Sequence, residues 1–153
     1  MIIRIAKASE LKEVQELNLK LFKKEHEEYD QTLRLDWTFG KEATKYLKDR
    51  ISQGSVWVAV IDKQIIGYLC GGITKAEKYR NLQKVGEIEN FFVLKDYRSK
   101  GAGKKLYQEF IKWCKKNKLH KIKVEATAQN KAGIKFYRNN GFKDHTLVLE
   151  GDI

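Results

Sequence analysis

At 153 residues, 42% of them hydrophobic and 11% aromatic, the chain has the size of one domain and enough apolar content to fold. That excludes a disordered polypeptide, and a chain of this length buries roughly 68–70% of the surface its unfolded form exposes. No apolar run approaches the ~20 residues that span a membrane, and Met1–Ala6 is too brief for a signal peptide, so a cytoplasmic location is expected.

The formal charge is +11, from 31 Lys and Arg against 20 Asp and Glu, which raises the question of a polyanionic partner. The basic residues are spread along the chain, with no arginine-rich tail or basic low-complexity block. A solvated lysine surface is the simpler reading, ahead of a nucleic-acid-binding module. Cys70 and Cys114 have no second cysteine or histidine at ligand spacing and read as reduced, packed thiols. His26, His120 and His145 are scattered, so no metal is implied.

In chain order, Ile2–Lys7 reads as a strand and Ser9 as a helix N-cap. Leu11, Val14, Leu17 and Leu21 recur at helical spacing through Phe22–Glu28. A polar, aromatic stretch to Asp36-Trp37 precedes a second helix over Lys41–Ser52, ended by Gly54. Val56–Ile61 and Ile65–Thr74 are strand-like and joined tightly enough for a hairpin. A strand at Glu87–Leu94, a helix from Ala102 to about Asn117, a strand at Lys121–Thr127 and a helix at Asn130–Asn139 follow. Thr146–Leu149 suggests a last return to the sheet. The order predicts a single α/β domain: a mixed, mainly antiparallel sheet with helices on both faces and a central parallel β-α-β unit.

The segment Arg98-Ser99-Lys100-Gly101-Ala102-Gly103-Lys104 joins the end of a strand to the start of a helix. Unpaired N–H groups at a helix start suit an anion, and Gly101 and Gly103 remove side chains that would keep a phosphate from the backbone. Arg98, Lys100 and Lys104 add positive charge. The pattern is not the G-x-x-x-x-G-K-S/T phosphate loop, because position 98 is arginine and position 105 is lysine. Nor is it the G-x-G-x-x-G dinucleotide fingerprint, because Leu106 stands at the third glycine.

Arg98-x-x-Gly101-x-Gly103 after an apolar strand resembles motif A of the GNAT superfamily of N-acetyltransferases. The later run Asn130-x-Ala132-x-x-x-Phe136-Tyr137-x-x-x-Gly141-Phe142 is similar to that family's motif B. The resemblance implies acetyl-CoA as co-substrate, with the amides of Ser99, Lys100, Gly101, Ala102, Gly103 and Lys104 on its pyrophosphate. It implies backbone groups of Phe91, Phe92 and Val93 along the pantetheine, with Asn130 on its other side, and a splay between the strands that flank the slot. Gly133 departs from expectation inside the last helix, where glycine costs ~1 kcal/mol relative to alanine.

Acetyl transfer needs a neutral amine, a polarised carbonyl and a protonated leaving thiol. An alkylammonium, with a pKa of ~10.4, must first lose a proton. By the same resemblance Tyr137 is the candidate acid and the Val93 N–H the carbonyl polariser. Glu89 is the candidate base, through water. Strict alternation puts Glu87, Glu89, Phe91 and Val93 on one face of their strand, and a bulge would change that parity and exchange the two carboxylates. In this fold the segment between the first two helices walls the acceptor cleft. Its Glu25, Glu27, Glu28, Tyr29, Asp30, Asp36 and Trp37 suit a cationic amine: polyamine-like, aminoglycoside-like or a protein lysine. A homodimer is a further implication of the resemblance. A non-catalytic CoA-binding regulatory domain is the alternative the same residues allow.

Overall fold

The computed structural model describes residues 1–153. Five strands, β1 (Ile2–Ile5), β2 (Val56–Ile61), β3 (Gln64–Lys75), β4 (Lys84–Val93) and β5 (Ile122–Val124), form one sheet in the order β1-β2-β3-β4-β5. The first four are antiparallel neighbours, and β5 lies parallel to β4. The helices are α1 (Leu11–Glu28), α2 (Lys41–Ser52), α3 (Ala102–Lys116) and α4 (Lys131–Asn139). This is the mixed α/β sheet with a parallel β4-α3-β5 unit that the sequence predicts.

Alternation along β2 divides the core. Val56 and Val58 point to α1 and α2, where they meet Val14, Leu17, Leu47, Ile51, Tyr68 and Cys70. Trp57 and Ala59 point the other way, to Leu106, Phe110 and Cys114 of α3. Each fully buried large side chain contributes roughly 1.5–3 kcal/mol, so the two faces together anchor the sheet. Trp57, Phe110 and Trp113 form an aromatic group with centroids 5.8–6.1 Å apart. No helix is long and apolar enough to cross a membrane.

Three expectations are corrected. Ser9 is not the cap of α1. A 3-10 turn over Ala8–Glu10 leads into the helix, and Glu10 accepts from the Lys7 N–H at 2.7 Å while both its oxygens engage Arg4. The 3-10 turn, closed by Glu10 on the Lys7 amide, opens the helix in place of a serine cap, and the Ser9 side chain makes no hydrogen bond to it. Thr146–Leu149 does not rejoin the sheet: residues 143–153 contain no strand, and Leu147, Val148 and Leu149 are exposed. The strand beside β4 spans only Ile122–Val124 rather than Lys121–Thr127.

Glu10 generates a prediction about acid stability. The Arg4 guanidinium holds its carboxyl down from 4.5 to about 2. A depressed folded-state pKa contributes stability above the unfolded value that is lost as pH falls toward the folded one. Stability should therefore decline between about pH 4.5 and 2. Arg4→Met should flatten that part of the curve, measured by urea denaturation against pH.

Candidate active site

β4 pairs with β5 only through Gly86, Glu87 and Ile88, against Ile122, Lys123 and Val124. Beyond Ile88, β4 runs on to Val93 with β3 on one side and an open slot on the other. The divergence coincides with a register jump, where Cys70 faces Asn90 but Gly71 faces Ile88, leaving Glu89 as the extra residue. Such a bulge bends the strand and increases its twist.

The bulge needs the glycine pair opposite it. A Cβ on Gly71 would lie 2.7 Å from the Phe110 ring, and one on Gly72 would lie 2.5 Å from Glu89 Oε1 and 2.8 Å from Arg50. One glycine admits the core aromatic, and its neighbour admits an ion pair on the opposite face. Arg50 Nε and Nη2 donate to both Glu89 oxygens at 2.8 and 2.5 Å, and the Tyr46 hydroxyl donates at 2.5 Å. Tyr46 also accepts from Asn90, which accepts from Asn18. The Cys70 thiol closes this network and is pushed up to about 12 by burial, so it stays protonated.

The bulge overturns strict alternation. Glu89 and Phe92 belong to the α1/α2 face, whereas Phe91 and Val93 pack toward α3 and α4. Glu87 lies apart, accepting from Thr74 and paired with Lys123. Bonded pairs alternate in an antiparallel ladder. Because Leu94 donates to Ile66, the next bonded pair is Tyr68 with Phe92. The polar backbone groups of Phe91 and Val93 therefore turn into the slot, while those of Phe92 turn to β3. The Val93 carbonyl accepts from Arg98 Nε at 2.8 Å, leaving its N–H free.

At the end of β4 the chain turns through Lys95–Tyr97 into the glycine loop. Ser99 and Gly101 adopt positive φ, 59° and 84°. Gly101 is the N-cap of α3, and a Cβ there would meet nothing, so backbone conformation is what calls for glycine at 101. Gly103 instead lies against the Phe91–Phe136 aromatic pair, with 3.5 Å from its Cβ position to the Phe91 ring. The N–H groups of Ser99, Lys100, Gly101, Ala102, Gly103 and Lys104 make no hydrogen bond within the protein; the first bond of the helix is Lys105 N–H to Gly101. Six consecutive free amides at the positive end of a helix dipole fit a pyrophosphate. Lys100 and Lys104 are exposed beside them.

α4 forms the far wall. Asn130 is its N-cap, accepting from the Gly133 N–H at 3.0 Å. A Cβ at 133 would come within 2.7 Å of the Asn130 amide, which accounts for the helical glycine. The cap uses the Asn130 oxygen and leaves its Nδ2 group available. Tyr137 is half-buried, edge-on to Phe136 and Phe142 at 5.5 Å, and its hydroxyl has no protein partner. Burial, with a smaller contribution from the Glu25 charge, raises its pKa and keeps the phenol protonated. No cluster of His, Cys, Asp and Glu could hold a metal ion.

The structure thus gathers Phe91, Val93, the loop amides, Asn130 and Tyr137 around one slot and sets Glu89 against its α2 side. Sequence reasoning missed Arg50 and Tyr46. They flank the buried stripe Ala43, Leu47 and Ile51 of α2 at i, i+4 spacing, but only the topology shows that the strand they face carries Glu89.

The profile of the acetyltransferase (GNAT) family matches residues 11–142, and the chain belongs to that family. It is 26% identical over 133 residues to the uncharacterized N-acetyltransferase MJ1207 of Methanocaldococcus jannaschii, covering 85% of this chain and 57% of that one. The chain therefore spans little more than half the length of that relative. A mutant BH1408 protein from Bacillus halodurans has a similar fold, with TM-score 0.86 and 19% identity over 100% of this chain and 99% of the other. So does a protein of Clostridium acetobutylicum described as a predicted acetyltransferase, whose structure contains acetyl-CoA, with TM-score 0.78 and 20% identity over 99% and 95%.

The two glycines opposite the bulge should respond differently. Gly71→Ala presses on a buried ring and should destabilise the fold by about 1–3 kcal/mol. Gly72→Ala meets side-chain ends and should displace the Arg50–Glu89 pair at smaller cost. Denaturant midpoints and crystal structures of the two variants would show it.

Proposed function

We propose that the protein is a cytoplasmic acetyl-CoA-dependent N-acetyltransferase that acylates a primary amine. The six free amides from Ser99 to Lys104, at the end of an open slot in the sheet, carry this reading. They supply an anion site of the length a pyrophosphate needs. Phe91 and Val93 offer the pantetheine the backbone partners of an added strand. Asn130 lies across the slot with its Nδ2 group free. The thioester, when bound, supplies the activated acetyl group.

In this reading the Val93 N–H polarises the carbonyl, and the Tyr137 hydroxyl, kept protonated by its surroundings, donates to the departing thiolate. Glu89 has both oxygens engaged, so it receives the amine's proton through water rather than by direct contact. The acceptor is a small polyamine-like or aminoglycoside-like amine, or a protein lysine, drawn by the acidic end of α1, where Glu25, Glu27 and Glu28 lie in its last turn rather than in a loop beyond it. The same reading includes a homodimer, for which exposed Leu147, Val148 and Leu149 offer apolar surface.

Calorimetry with acetyl-CoA and a CoA-release assay over an amine panel test the proposal. Gly101→Glu should weaken acetyl-CoA binding at least tenfold, and unchanged affinity would remove the loop from the site. Tyr137→Phe should bind normally but turn over roughly 10²–10⁴-fold more slowly, the range for loss of a general acid. Tight acetyl-CoA binding without turnover on any amine would favour a regulatory CoA-binding domain.

A further inference from the structure

The slot has a feature that the proposed acid and base leave unused. Thr127, three residues beyond β5, donates through its hydroxyl to Glu25 Oε2 at 2.9 Å. Glu25 lies in the last turn of α1, 102 positions away in sequence, so this bond spans from the first helix to the far wall of the slot. Thr127 is itself held in place: its carbonyl accepts from the N–H of Asn130 at 2.8 Å, the residue that caps the Tyr137-bearing helix. The Glu25 carboxylate thus belongs to the same wall as the candidate acid, close enough for its charge to raise the Tyr137 pKa.

Among the carboxylates around the cleft, Glu25 and Glu27 have no cation partner, and of these two Glu27 is exposed to solvent while Glu25 is partly buried. Glu89 is neutralised by Arg50, Glu28 by Lys24 and Asp36 by Arg34, while Asp30 is used by its own turn through Thr32. Glu25 has no cation within ion-pair distance, is only partly exposed, and accepts one hydrogen bond, from a neutral hydroxyl. A half-buried carboxylate with one neutral partner is poorly compensated and gains most from a cation brought to it.

Resting on the acetyltransferase reading, we infer that Glu25 is the anchor for the acceptor's positive charge, and that the Glu25–Thr127 bond closes the acceptor side of the slot until an ammonium group takes its place. An ammonium has three donors, enough to engage both Glu25 oxygens and the Thr127 hydroxyl oxygen together. The acceptor class this selects carries at least two amino groups: one stays charged on Glu25, while the other loses its proton and attacks the carbonyl. In the transfer, a C–N bond forms as the C–S bond breaks. One proton leaves the ammonium through water to Glu89 before attack. As the amide forms, the nitrogen's second proton passes through water to Tyr137, which has given its own to the thiolate, so the phenol is restored.

Steady-state kinetics with spermidine, kanamycin and the monoamine n-butylamine, alongside calorimetric binding of acetyl-CoA, test this. Glu25→Gln should raise the KM for the polyamine or aminoglycoside about tenfold or more, leave acetyl-CoA affinity unchanged and abolish the preference for these acceptors over the monoamine. Glu25→Asp should recover part of the loss. Glu16→Gln, an exposed change of equal charge on the same helix, should behave as wild type. The inference fails if Glu25→Gln keeps the acceptor KM within twofold, if Glu16→Gln matches its effect, or if acetyl-CoA binding falls in parallel. If the wild-type protein binds acetyl-CoA yet acetylates none of the three amines, the anchor fails; the transferase reading fails with it only if a lysine-containing peptide is not acetylated either.

Discussion

One extra residue in β4 shapes what lies on either side of the sheet. With Glu89 bulged against Gly71 and Gly72, β4 turns away from β5 after three paired positions. The backbone of Phe91 and Val93 is left facing open space. On the α1/α2 face the same bulge points a carboxylate at α2, where Arg50 and Tyr46 secure it. A bulge interrupts a ladder locally and bends its strand. Here it is clamped by a bidentate ion pair on one face, and the glycine beside it gives way to a core ring on the other. Slot and ion pair are therefore two expressions of one constraint.

That coupling gives Glu89 a structural duty alongside its proposed chemical one. An arginine-bound carboxylate holds a strand in shape well and is a poor partner for a mobile cation, since the pair carries no net charge. Glu25, uncompensated and across the slot, has the opposite character. The site divides its carboxylates by what surrounds them rather than by residue type, as pKa and pairing arguments lead one to expect.

Much of this was legible in the chain because local signals agreed with the tertiary result. Helical spacing from Leu11 to Leu21, the Val56–Ile61 and Ile65–Thr74 hairpin, and the helix after Gly103 all form where patterning places them. The glycine loop was legible for the same reason, since a strand end, positive-φ glycine and helix start are consecutive in sequence. What sequence could not place depends on long-range pairing. The faces of β4 were misassigned because the bulge answers to residues in β3. The grip of Arg50 on Glu89 joins positions 39 apart, and the bond from Thr127 to Glu25 joins positions 102 apart. Thr146–Leu149 has strand-like composition but finds no ladder, which shows that β propensity alone does not make a strand.

The short β4–β5 pairing has a thermodynamic side. Three paired positions, the Lys123–Glu87 ion pair, one side-chain bond to α1 and the Tyr107 hydroxyl on the Asn140 carbonyl tether the segment from β5 through α4. The packing of Ile122, Val124, Phe136, Tyr137 and Phe142 adds to them, and most of these tethers come from half-buried groups. Such a segment belongs to the low-stability end of a protein's opening spectrum. A ligand lying in the slot as an additional strand supplies the hydrogen bonds that the split removes. Any ligand that binds only the folded state raises stability by about 2.7 kcal/mol at a hundredfold excess over its Kd. A ligand in that opening would thus complete the segment from β5 through α4, slow to exchange its amides when the slot is filled and quick when it is empty.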